Sequence, residues 1–177
     1  QTMSGGPTKS PPETPPRTPM KPPAELEALD YFVGIWSCEG KMEATADGPA
    51  RKTRGTMICR WELGKYYLGV AEDDELSLQL PKRRQSRAYW GYDAGAKLYT
   101  CAVFHYGGGR FIGTSPGWRG DYLTFTGEMI AGGERMQTRQ RYQHKGDEEL
   151  IIRVDVILPD GDLALRLEEK CQRQGEG

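Results

Sequence analysis

From Val33 onward, apolar and polar side chains alternate with a period of two, and turn signals break the alternation every eight to twelve residues. That pattern restricts the chain to an antiparallel sandwich or barrel, since each strand must bury one face and then reverse tightly. Strands are expected near 33–43, 51–62, 65–73, 84–92, 97–106, 109–114, 118–128, 134–144, 149–158 and 162–173. Asp47-Gly48-Pro49, Gly64-Lys65 and five further glycine-containing stretches (93–96, 107–109, 131–133, 145–147 and 159–162) supply the hairpin turns. Residues 72–84 form the one long irregular connection. About ten short strands joined this way make an all-β, antiparallel up-and-down meander, and closure into a barrel removes its edges.

Ahead of the strands, Ala24 to Phe32 reads as a short helix that caps one end of the barrel. Pro22 and Pro23 open it, Glu25 and Glu27 suit its N-terminal dipole, and Gly34 ends it. Leu26, Leu29 and Phe32 form its apolar side. Residues 1–23 hold eight of the 12 prolines and almost no apolar side chains, which defines a proline-rich disordered tether. Residues 24–173 are then the barrel domain, and 174–177 a flexible C-terminal end. Pro12-Glu-Thr-Pro15 and Pro16-Arg-Thr-Pro19 fit a PxxP ligand for a protein partner, although a stiff spacer has the same composition. A net charge of −1 gives no electrostatic reason to bind nucleic acid or a membrane surface, and no apolar run is long enough for a transmembrane helix. A Pro/Thr/Ser-rich tether before a compact β-domain suits a periplasmic or secreted protein. Four cysteines are compatible with that compartment and equally with the cytoplasm.

The opening Gly34-x-Trp36-x-x-x-Gly40 resembles the signature of lipocalin-like (calycin) barrels. More specifically, the chain resembles the bacterial domain-of-unknown-function family 1579. Leu63-Gly-Lys-Tyr-Tyr-Leu68, Gly91-Tyr-Asp93 with Lys97-Leu-Tyr99, and Trp118-x-Gly120-x-x-Leu-Thr-Phe-x-Gly127 carry the likeness, in that order and spacing. The resemblance covers about residues 26–173 and implies a lipocalin-like barrel with an internal cavity. It implies no activity. It also implies that Trp36 packs across the closed end under a basic side chain of the last strand, with Arg173 the candidate and Arg166 and Lys170 the alternatives. Cys38, Cys59 and the His105-Tyr106-Gly-Gly-Gly stretch depart from the family pattern.

Register arithmetic groups the cysteines. A hairpin turning about Gly48-Pro49 sets Cys38 opposite Cys59, and a last strand closing onto the first with Trp36 opposite Arg173 sets Cys38 opposite Cys171. Cys38, Cys59 and Cys171 are therefore the disulfide candidates, with three buried thiols as the alternative. No C-x-x-C spacing points to a metal. Parity turns Trp36, Cys38, Cys59 and Trp61 inward, and a two-residue turn at Gly64-Lys65 then brings in Tyr66, Leu68 and Val70. The expected ligand-binding set is Trp36, Trp61, Tyr66, Leu68, Trp90, Phe104 and Tyr142. An aromatic lining of this kind binds a flat or acyl ligand, or fills a small barrel solid.

Arg135, Arg139 and Arg141 share one alternation of strand 134–144. Facing inward they would grip a carboxylate; facing outward they are a solvated row. His105 and His144 sit in no metal-binding motif, though either could serve as an axial haem ligand. The glycine-rich run ending in Tyr-Pro that opens haem-binding nitrobindin-type barrels is absent after Trp36. Gly113-Thr-Ser-Pro-Gly117 matches G-x-S-x-G, but Pro116 has no N–H for an oxyanion hole and no helix follows. No catalytic residue and no cofactor is indicated. The expectation is non-enzymatic binding of a small apolar or amphipathic ligand. The alternatives are an envelope or assembly scaffold whose proline-rich tail docks to a partner, and a haem-binding or enzymatic barrel.

Overall fold

A computed structural model describes residues 14–15, 20–46 and 48–175. Most of the proline-rich segment, with all of the Pro16–Pro19 motif and the first half of the Pro12–Pro15 motif, and the last two residues lie outside the described residues. Ten antiparallel strands follow one another around a closed barrel: β1 (Gly34–Met42), β2 (Arg51–Glu62), β3 (Tyr67–Asp74), β4 (Gln85–Asp93) and β5 (Leu98–His105), then β6 (Arg110–Ser115), β7 (Tyr122–Ala131), β8 (Glu134–His144), β9 (Glu149–Ile157) and β10 (Leu163–Arg173). Every strand pairs with its sequence neighbours, and β10 closes onto β1.

The closing register is the one expected for Trp36 opposite Arg173. Trp36 faces Arg173, and Cys38 faces Cys171 in a disulfide spanning 133 residues of sequence. The β1–β2 register differs from the expected one: Cys38 faces Gly55, and Cys59 faces Gly34. The chain reverses between Thr45 and Gly48, which bridge each other, two residues before the Gly48-Pro49 centre. A slip of four residues preserves parity, so the inward faces are unchanged although Cys59 loses its place beside Cys38. Cys59 and Cys101 are free, buried thiols. In-strand glycines let the barrel bend: a Cβ at Gly40 would overlap the backbone carbonyl of Glu168, and one at Gly127 that of Ile112.

The N-terminal helix, Ala24–Phe32, is a 3-10 helix rather than an α-helix. Its apolar residues explain the choice. Leu26, Leu29 and Phe32 recur every three residues, and three residues per turn line all of them up on one face. All three are buried. That face plugs the end of the barrel where β1 begins and β10 ends. Phe32 stacks on Trp118 at 5.5 Å and meets Trp90 edge-on at 5.0 Å. Trp118 lies ahead of β7, not inside it, and its indole Nε1 donates to Ala28 O at 2.8 Å. Trp61 is held alike, donating from Nε1 to Asp30 Oδ1 at 3.0 Å.

Arg173 completes this end. Its guanidinium lies 4.3 Å above the Trp36 ring. It also donates to the carbonyls of Val33 and Tyr31, both at 2.6 Å, and of Asp147 at 2.8 Å. Phe32→Ala removes the ring on which this packing converges, and urea denaturation should show a loss of about 3–5 kcal/mol. A loss below about 1 kcal/mol would mean that the plug does not hold the barrel shut.

Candidate functional site

At the opposite end the barrel is open. A cavity of about 480 Å³ runs inward from the loops that follow β1, β3 and β7. Its floor is Trp90 and Tyr142, which touch edge-to-face at 4.8 Å. Period-two alternation sets small or branched aliphatics above that floor: Val70, Ala88 and Val103 face each other across β3, β4 and β5. Ile152, Val154 and Val156 of β9 form the facing wall. Aliphatic walls over an aromatic floor leave this half of the barrel hollow, whereas the helix end is filled with rings.

The seven residues expected to bind ligand divide by position. Trp90 and Tyr142 line the cavity. Trp36 and Leu68 are fully buried beneath it in the packed end, and Trp61 is clamped to the helix. Tyr66 does not enter a strand. The β2–β3 connection is four residues rather than two, with positive φ at Leu63, Gly64 and Lys65, so Tyr66 ends in the turn. Phe104 points out of the barrel and is 51 % exposed, because its cross-strand partners are the outward Arg87 and Arg110. The long β3–β4 connection carries no parity from one strand to the next, and that uncertainty put Phe104 on the wrong face. Ser115 accepts at Oγ from Gly117 N at 3.1 Å, a turn contact and not a nucleophile's setting.

One wall of the cavity is polar. Glu72, Ser86 and His105 stand in register on β3, β4 and β5, all facing inward. Arg84 reaches across them and donates from Nη2 to Glu169 Oε1 at 2.6 Å and from Nη1 to Oε2 at 3.3 Å. Thr53 Oγ1 donates to the same Oε2 at 2.9 Å. Glu72 Oε2 approaches Arg84 Nη2 at 3.5 Å. Arg84 is thus one cation between two carboxylates, and it is spent on them.

Burial in the cavity wall raises the Glu72 pKa above its ordinary value; Arg84 opposes this, and Glu169 and Asp73 add to it. His105 is displaced downward, first by burial and then by the Arg84 charge, and its Nε2 has no hydrogen-bond partner. Trp90 Nε1 likewise has no partner, with only the soft Cys101 sulfur beside it. Two cavity-lining residues, Trp90 and His105, thus each carry a buried ring nitrogen without a hydrogen-bond partner. Arg139 and Arg141 face outward, where both donate to the buried Asp155 carboxylate at 3.1–3.4 Å. They are not available to the cavity.

These features define a class: closed ten-stranded antiparallel barrels, sealed at one end and hollow at the other. The family model for "Protein of unknown function (DUF1579)" matches residues 21–173, and the chain belongs to that family. Among solved structures, Rv2717c from M. tuberculosis is similar, with 14% identity, a TM-score of 0.64, and 88% of this chain and 100% of that chain covered. The S-type phycobiliprotein lyase CPES from Guillardia theta is also similar, with 7% identity, a TM-score of 0.52 and coverage of 85% and 93%. At these identities the likeness is one of fold. No curated protein sequence matches the chain.

The raised Glu72 pKa gives a signed prediction. A carboxyl whose folded pKa lies above its unfolded value contributes stability below about pH 4.5 and loses it as pH rises through the folded pKa. Glu72→Gln mimics the neutral acid at every pH. Thermal melts of E72Q and the parent should coincide near pH 4, with E72Q progressively more stable towards pH 8. A gap that opens in the acid direction would show that Glu72 is folded as a stabilising carboxylate.

Proposed function

We propose that the protein binds a small amphipathic molecule in the open cavity without transforming it. The observation that carries this reading is the cavity itself: about 480 Å³ with largely apolar walls. That volume falls within the ~300–1,000 Å³ typical of small-molecule sites. The fold of the similar structures is compatible with such a role. The test uses Nile red, a neutral dye that brightens in apolar surroundings. Its emission should rise on binding and fall when dodecanol is added. Ala88→Phe, which projects a ring into the cavity from mid-wall, should abolish the signal while the melting temperature changes little. An undiminished signal in that variant would move binding out of the barrel.

The haem-binding alternative has one observation on its side: His105 lines the cavity and its buried Nε2 has no hydrogen-bond partner. Adding haem and recording the absorbance spectrum decides it: a shifted Soret band lost in His105→Ala would replace the amphiphile reading.

The Cys38–Cys171 disulfide supports a periplasmic or secreted location, where such bonds persist. Unfolded, unreduced protein should titrate two thiols, from Cys59 and Cys101. Four thiols in freshly isolated protein would argue for a reducing compartment.

A further inference from the structure

Among the described residues, Arg166 is a cation at the cavity rim with no side-chain partner, and a break in strand register puts it there. Along β10, Leu167, Glu169, Cys171 and Arg173 face inward. Strict alternation would turn Arg166 outward. The β9–β10 pairing shifts between Leu165 and Leu167, where Asp155 and Val154 are consecutive partners, so Arg166 is the extra residue of a β-bulge. Bulges re-aim side chains, and here Arg166 and Leu167 both line the cavity despite being adjacent in sequence. The bulge is anchored: Glu43 N, just past β1, donates to Arg166 O at 2.8 Å.

Among the described residues, the Arg166 guanidinium has neither a hydrogen-bond nor an ion-pair partner. The other charged groups around it are committed or distant. Arg84 is held by Glu169 and Glu72. Lys82 and Glu134 also line the rim, and no ion pair joins Glu134 to Arg166. Among the described residues below the rim, the one cation lining the cavity is Arg84, which is committed to Glu169 and Glu72.

We propose that the ligand is a single-headed anionic amphiphile, a carboxylate on an aliphatic body, with its head paired to Arg166 at the rim and its body extending down to Trp90 and Tyr142. This inference rests on the reading of the cavity as a ligand site and deepens it. The head stays at the rim because the polar wall has no spare positive charge to draw it inward, and because the deeper walls are aliphatic. A guanidinium presents a planar fork that takes a carboxylate through two parallel hydrogen bonds. A neutral head of the same size gains less from it.

The experiment compares laurate with dodecanol, which share a chain and differ in the head, as competitors for Nile red. It uses the parent protein, Arg166→Gln and Arg166→Lys at low salt. In R166Q, laurate should displace the dye about tenfold less well. Dodecanol should displace the dye equally well from the parent and from R166Q, and laurate in R166K should fall between. Added salt should weaken laurate but not dodecanol. Arg166 supports no other side chain, so the melting temperature should not move. If R166Q leaves the preference for laurate over dodecanol unchanged, the rim assignment is overturned while the cavity reading stands. If neither competitor displaces the dye from the parent protein, the cavity reading fails and this inference fails with it.

Discussion

The barrel depends on what Arg173 does at its seam. A helix that ends inside a protein leaves carbonyls without partners, and burying them unpaired is costly. Here the carbonyls of Tyr31 and Val33 accept from Arg173, while that of Phe32 accepts from Trp36 Nε1 at 2.9 Å. The first strand, the last strand and the plug helix therefore meet at two side chains. Lysine could not substitute, because a compact ammonium cannot hold two carbonyls, reach Asp147 and cover an indole face together. The disulfide two residues along the same β1–β10 ladder fixes the register that this contact requires.

Sealing one end so heavily determines the character of the other. Phe32, Trp36, Trp118, Tyr31, Trp90 and Tyr142 form a continuous stack of rings from the helix to mid-barrel. Above them the inward positions change to Val, Ala and Ile, which are too short to meet across a ten-stranded barrel. The hollow follows from that change in side-chain size along each strand and not from any irregularity in the strands. The rings secure the closed end, and the open end can then remain unfilled without loosening the seam.

Much of this was legible in the amino-acid pattern. Alternation with regular turns is enough to give ten strands, and once the family resemblance sets Trp36 opposite Arg173, Cys38 falls opposite Cys171. Errors arose where a local count controls geometry. The β1–β2 reversal was displaced because Gly48-Pro49 is a stronger turn signal than the residues at which the chain actually turns. Phe104 was misplaced because the connection from β3 to β4 is too long to transmit parity. Arg166 was passed over as a cavity residue because a bulge reverses parity within a strand, and nothing in Leu-Ala-Leu-Arg-Leu announces one. Glu72 was within reach: it continues the inward series Leu68, Val70 by two residues, and its significance appears only when Arg84 and Glu169 are seen beside it.

The charged residues of the hollow half belong to two groups with different work. Arg84 is held by Glu169, itself bonded by Thr53, and by Glu72, and deleting it would leave two carboxylates facing each other in a poorly solvated wall. Such a group holds the wall together and resists giving up its cation to a ligand. Arg166 has no such ties, sits half-exposed, and keeps its charge available at little cost in desolvation. The same residue type is therefore structural at one point of the cavity and free at another. The difference lies in which strand position carries a compensating acid, and not in the total charge of the cavity lining.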